Sequence, residues 1–196
     1  MRALARVLPL AATLAVPAAA AADEDALAPL SRPVSVDVLA TAFVGDGLRF
    51  NNPYRLATVL GSNAQSLSRT AGYVDVGGAL LVGDPTRTAS GVALRVSVAL
   101  EGVPQSVLTP SYLLLHRAGA WGAYGRAGVP VVLSPDVTWG LEGGVGGVWF
   151  ARAGVGVAAE LVGDVFYGAG TRDVAHPAYP VLSGQAGFWL SWEAVL

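Results

Sequence analysis

The chain has 196 residues, one domain's worth, and its 53% apolar against 13% charged side chains are too greasy for an ordinary soluble domain of that size. A formal net charge of -2 with no long basic run leaves no electrostatic footprint for nucleic acid, and the absence of Cys excludes disulfides, thiolate metal sites and a thiol-linked lipid anchor. Spanning helices are excluded too, because past the first two dozen positions no stretch of roughly 18 residues is free of Gly, Pro or polar interruption.

At the N-terminus, Arg2 and Arg6 precede the apolar run Val7 to Val16, and Pro17 leads into an alanine tract that ends before Asp23, Glu24 and Asp25. That order of basic, apolar and small residues predicts a cleaved secretory signal over residues 1–22. The acidic, Pro-containing piece 23–33 is predicted to be a periplasmic leader. The remainder, 34–196, is predicted to be one β domain, since 25 Gly, 12 Pro and recurring Val favour turns and strands over helices.

From Val34 onward the chain divides into eight alternating segments, at about 34–44, 72–83, 91–101, 109–117, 121–129, 137–149, 152–166 and 181–195. Successive side chains of a strand point to opposite sides, so each segment has two faces. In the third, Val92, Leu94, Val96, Val98 and Leu100 oppose Ala93, Arg95, Ser97, Ala99 and Glu101. The second sets Val74, Val76, Leu80 and Val82 against Tyr73, Asp75, Gly77 and Ala79, and the seventh sets Val155, Val157, Leu161 and Val165 against Gly156, Glu160 and Asp164.

A soluble sandwich also has one apolar face, but its solvent face would carry more Lys, Glu and Thr. Here the polar face is rich in Gly and Ala, and the chain contains no Lys. Small residues suit strands converging on a narrow lumen. Aromatics near segment ends (Tyr73, Trp121, Trp139, Trp149, Phe150, Phe166, Tyr167 and Trp192) are read as interfacial girdles. With the N-terminus placed in the periplasm, the periplasmic links fall near 83–90, 117–120 and 150–152 and the external ones at 45–71, the Gly-Val-Pro after Glu101, 130–136 and 168–180, and the two longest are both external, as in such barrels. The predicted fold is all-β: a closed, antiparallel, up-and-down transmembrane β-barrel of about eight strands.

The last segment carries a resemblance. Gln185, Gly187, Leu190 and Trp192 follow the polar-x-Gly-x-x-apolar-x-aromatic pattern of the final strand of outer-membrane barrels, although the last residue is Leu196 where that family usually ends in Phe or Trp. Together with the signal and the eight segments, the chain resembles small OmpA/OmpX-type barrels. The resemblance implies a bacterial outer-membrane location, contact with outer-membrane lipid and lipopolysaccharide, and those four residues as the signal read by the barrel-assembly machinery.

The candidate chemistry lies in two places. The inward face is expected to carry Asp37, Asp75, Glu101, Glu142, Glu160, Asp164 and Glu193 around Arg95 and Arg126, because charges withdrawn from water must be paired or hydrated. Glu142 and Glu160 are the expected partners of the two arginines, in a network that fixes register and closes a polar lumen. The first external loop offers Arg49, Asn52, Tyr54, Arg55 and Arg69, with Arg172 in the last, for lipopolysaccharide phosphates, while Asn51 to Pro53 alternatively form a turn.

His116 is placed at a periplasmic turn, and His176 with Asp173 and Ser183 is the only set that suggests an acyl-modifying enzyme at the external rim. Its spacing matches no such motif, so a non-enzymatic envelope or surface role without cofactor or metal is expected. A secreted barrel binding an apolar ligand is the further alternative, and it requires the apolar faces to point inward.

Overall fold

The alternation predicted from the sequence is carried through most completely at residues 155–167, where exposed and buried side chains alternate at all 13 positions. The computed structural model describes residues 35–50, 67–84, 87–135, 137–152, 154–167 and 178–195. The predicted signal and leader lie outside them. The described residues form ten strands: β1 (Ser35–Phe50), β2 (Leu67–Arg69), β3 (Tyr73–Asp84), β4 (Thr88–Ala99), β5 (Ser106–Ala118), β6 (Trp121–Gly128), β7 (Val131–Ser134), β8 (Thr138–Arg152), β9 (Val155–Tyr167) and β10 (Ala178–Val195).

Antiparallel pairing runs β1-β3-β4-β5-β6-β8-β9-β10 and returns from β10 to β1, so the sheet is closed. The eight predicted segments correspond to eight staves, and the two additional short strands lie in predicted connections. β7 pairs with β5 and β8 beyond the end of β6, continuing that stave after the break at Pro130, which has no N–H to give the ladder. β2 pairs with the end of β1, which itself runs on to Phe50, inside the stretch predicted as a loop.

Register sets the barrel's width. Followed from partner to partner, Val38 leads to Leu80, Val92, Tyr112, Ala127, Gly143, Gly163 and Leu182, and the path re-enters β1 at Leu48, ten residues along. Eight strands with that stagger tilt by about 40° and enclose a backbone cylinder of roughly 8 Å radius, which side chains fill.

The outward faces are apolar around the whole circumference: Val38, Leu80, Val92, Leu94, Leu141, Leu161 and Phe188 are all largely exposed. Trp121, Trp149 and Trp192 stand outward toward the end with the short turns, and Trp139 and Tyr167 stand outward toward the other. Tyr73, Phe150 and Phe166, expected in these girdles, instead lie inside. Each shares its strand parity with an inward residue, Asp75, Val148 and Asp164 respectively.

The lumen departs from the expectation of a polar interior. Leu39, Phe43, Leu81, Leu113, Leu115, Val148 and Trp189 are almost wholly buried within it and form one apolar plug. These side chains exclude water from the half of the barrel nearer the short turns, and the charges are confined above and below.

Candidate functional site

Inward-pointing side chains of β3, β4, β6, β8, β9 and β10 meet above the plug in a charged cluster. Glu160 of β9 is its hub. Its Oε2 accepts from Arg95 Nη1 at 2.8 Å, Gln185 Nε2 at 3.0 Å and the Tyr124 hydroxyl at 3.2 Å, while Oε1 accepts from Arg126 Nε. Arg126 also pairs with Glu142, and Arg95 lies 3.7 Å from Asp75, whose other oxygen accepts from the Ser97 hydroxyl at 2.6 Å. A carboxylate buried to this degree is tolerable because two guanidinium groups and two neutral donors replace its water shell.

Room for the cluster comes from glycine on a neighbouring strand. A Cβ on Gly144 would overlap Glu160 Oε1 and lie 3.1 Å from the Arg126 side chain, so the small residue on β8 is the notch into which the pair fits. Tyr124 joins the cluster to the plug, its ring 4.8 Å from that of Trp189.

Of the residues expected in one lumen network, the structure brings together Asp75, Arg95, Arg126, Glu142 and Glu160, with buried Asp164 beside Glu142 in the register. Three expected members are elsewhere. Asp37 is buried at the short-turn end, 3.9 Å from Arg117, whose guanidinium stacks over Phe150 and donates to Ser191. Glu193 is exposed at the same rim, opposite Asp37 in register. Glu101 is exposed in the bend after β4, where it accepts from the Gly72 N–H. A bend interrupts the alternation that put it on the inward face.

Arg117 was missed as a partner because the sequence suggests a turn there, yet β5 continues to Ala118. For the same reason His116 is not in a turn: it stands on the outward face of β5, bonded to the Thr88 hydroxyl. Asn52, Tyr54, Arg55, Arg172, Asp173 and His176 lie outside the described residues. Ser183, the remaining member of the acyl-modifying set, is buried in the lumen. Arg69 pairs with Asp46 on the surface, and Arg49 points inward, 4.0 Å above the Tyr179 ring.

The four residues expected to form an assembly signal each have a place in the barrel itself. Gln185 serves Glu160, and Gly187 lets β10 approach β1 where a Cβ would overlap the Ala42 carbonyl. Leu190 and Trp192 face outward.

Above the cluster, toward the long connections, is a cavity of about 280 Å³, lined among others by Arg49, Tyr73, Asp75, Arg126, Asp164 and Tyr179. Among the described residues no group of three His, Cys, Asp or Glu is placed to hold a metal ion.

No family model and no curated protein sequence matches the chain. Among solved structures it is similar to the N-terminal β-barrel domain of Pseudomonas aeruginosa OprF, at 12% identity over 81% of this chain and 97% of that one, with a TM-score of 0.46. It is similar also to Neisserial surface protein A (8% identity, 78% and 96% covered, TM-score 0.45). The outer membrane protein OprG of P. aeruginosa matches at 13% identity over 80% and 95%, with a TM-score of 0.37. The closed antiparallel barrel of eight staves follows from the chain's own strand pairing.

Proposed function

We propose that this protein is a non-enzymatic barrel of the bacterial outer membrane whose role is to strengthen the envelope or to present its external loops. One observation carries the reading: the outward rung from Val38 through Leu80, Val92, Ala127 and Leu182 to Leu48 is apolar but for Tyr112, while buried Glu160, Arg95 and Arg126 converge inside. Apolar side chains on a closed sheet with no edge are what acyl chains can solvate.

The plug argues against a pore role, since Trp189, Phe43 and Leu115 fill the cross-section. Lipopolysaccharide contact would fall to the arginines near the long connections, and folding would use the Gln185 to Trp192 signal. The test has two parts. Refolded protein should migrate faster on gels before boiling than after, and in planar bilayers it should give no stable conductance. Uniform migration, or persistent open channels, would refute the membrane-barrel or the closed-lumen part respectively.

A further inference from the structure

We propose that the cavity above the charged cluster binds a small zwitterion, a molecule of amino-acid size with one carboxylate, one ammonium group and a short apolar body. A carboxyl group and a guanidinium group share the cavity without meeting. Asp164 is 8% exposed, and its Oδ1 has no hydrogen-bond partner. Arg49 has buried Nε and Nη2 atoms that likewise lack one, and its guanidinium rests on the Tyr179 ring. Isolated buried charges are costly unless something pairs them.

Neighbouring charges supply only part of what is missing, since Arg126 attracts Asp164 without bonding to it. Arg126 is engaged by Glu142 and Glu160, Arg95 by Glu160 and Asp75, and Arg69 by Asp46. Glu142 stands beside Asp164 in the register, so two carboxylates lie together on one side.

Register also gives the spacing. Glu142 pairs with Asp164, Asp164 with Val181, and Val181 with Arg49, which places the acidic pair and the arginine on a single rung with an apolar side chain between them. Two strand spacings separate the Cα atoms of Asp164 and Arg49, about 9–10 Å. No ion pair joins the two side chains, and Phe166 and Tyr179, stacked 5.4 Å apart, supply an aromatic wall near them.

An ammonium group held by Asp164 and a carboxylate accepting the Arg49 fork would satisfy both ends, with the body against Val181 and the aromatic wall. A simple amine would leave Arg49 unmatched, and a simple acid would leave Asp164 unmatched. The plug beneath makes the site a blind one, so binding here needs no passage through the barrel.

The experiment uses the full refolded barrel in micelles, with L-leucine, isopentylamine and 4-methylpentanoate followed by calorimetry and by amide NMR shifts. Leucine should bind saturably, and the amine and acid should each bind about ten- to a hundredfold more weakly, the worth of one charge-assisted contact. Asp164→Asn should remove the preference for leucine over the acid, and Arg49→Gln the preference for leucine over the amine. Gel mobility confirms that both variants fold.

Absence of saturable leucine binding overturns the proposal, and so does an amine or an acid that binds the native barrel as tightly as leucine. Loss of stability in both variants without leucine binding would show instead that the two residues pair directly with each other. Conductance and heat-modifiability are separate readouts, so failure here leaves the membrane-barrel reading standing or falling on its own test.

Discussion

Glu160→Gln tests whether the charged cluster holds the barrel together. Gln has the same shape but only one acceptor oxygen. Three donors converge on Oε2, from Arg95, Tyr124 and Gln185, so the amide oxygen will take that side and turn its NH₂ against Arg126 Nε, donor to donor. Removing one partner from a buried ion pair costs about 3–5 kcal/mol. Asp75 and Glu142 remain near the two guanidinium groups and offset part of the loss. The expected cost is therefore at the lower end, about 3 kcal/mol, or roughly a hundredfold in the folded-to-unfolded ratio.

Urea unfolding in lipid vesicles, followed by tryptophan fluorescence and checked by gel mobility, measures that cost. A double-mutant cycle with Arg126→Gln separates the pair from its surroundings, because groups in one network do not add. The double variant should be more stable than the sum of the two single losses predicts, by about 1–2 kcal/mol. A cost within about 1 kcal/mol for Glu160→Gln, or additive single effects, would refute the view that Glu160 is the hub.

Val92 is 63% exposed on the outward face, so Val92→Arg should cost about 2–4 kcal/mol if that face meets the bilayer middle and almost nothing if it meets water, as the same unfolding assay will show. Trp189→Ala should cost about 3–5 kcal/mol because it empties the centre of the plug, and an unchanged unfolding midpoint would contradict the packing described. Gly144→Val should displace Glu160 and Arg126 and lower the midpoint, with less further loss when combined with Glu160→Ala, which removes the atom that a Cβ would overlap. Gly143→Val, one residue away on the outward face where a Cβ meets nothing within 4 Å, should leave the midpoint unchanged or raise it.

Much of the barrel is legible from alternation alone, because a period of two assigns Val92 to Val98 to one face and Arg95 to the other without knowledge of any neighbour. The plug escapes the same reasoning. Leu39 and Phe43 share the parity of Asp37, and Trp189 that of Gln185, but their hydrophobicity is indistinguishable from that of an outward side chain. Tyr73, Phe150 and Phe166 show the converse error: nearness to a strand end suggests an interface, whereas parity would have put them inside.

The charged cluster is visible as a composition of one face, with Glu142 and Glu160 as the arginines' partners, yet the separation of Asp37, Glu101 and Glu193 from it depends on inter-strand register and on where a strand bends. Neither is written in a single segment. The breaks that create β2 and β7 are tertiary as well, since Pro130 interrupts the ladder only because β5 and β8 are there to offer one.

The notch at Gly144 has a consequence for how such an interior can change over generations. A bulky inward group and the glycine that admits it sit on different strands, so an enlargement at one is tolerated only alongside a reduction at the other. Inside the cylinder, then, substitutions are coupled in twos across the sheet. Outside, where any greasy side chain serves, each position drifts alone.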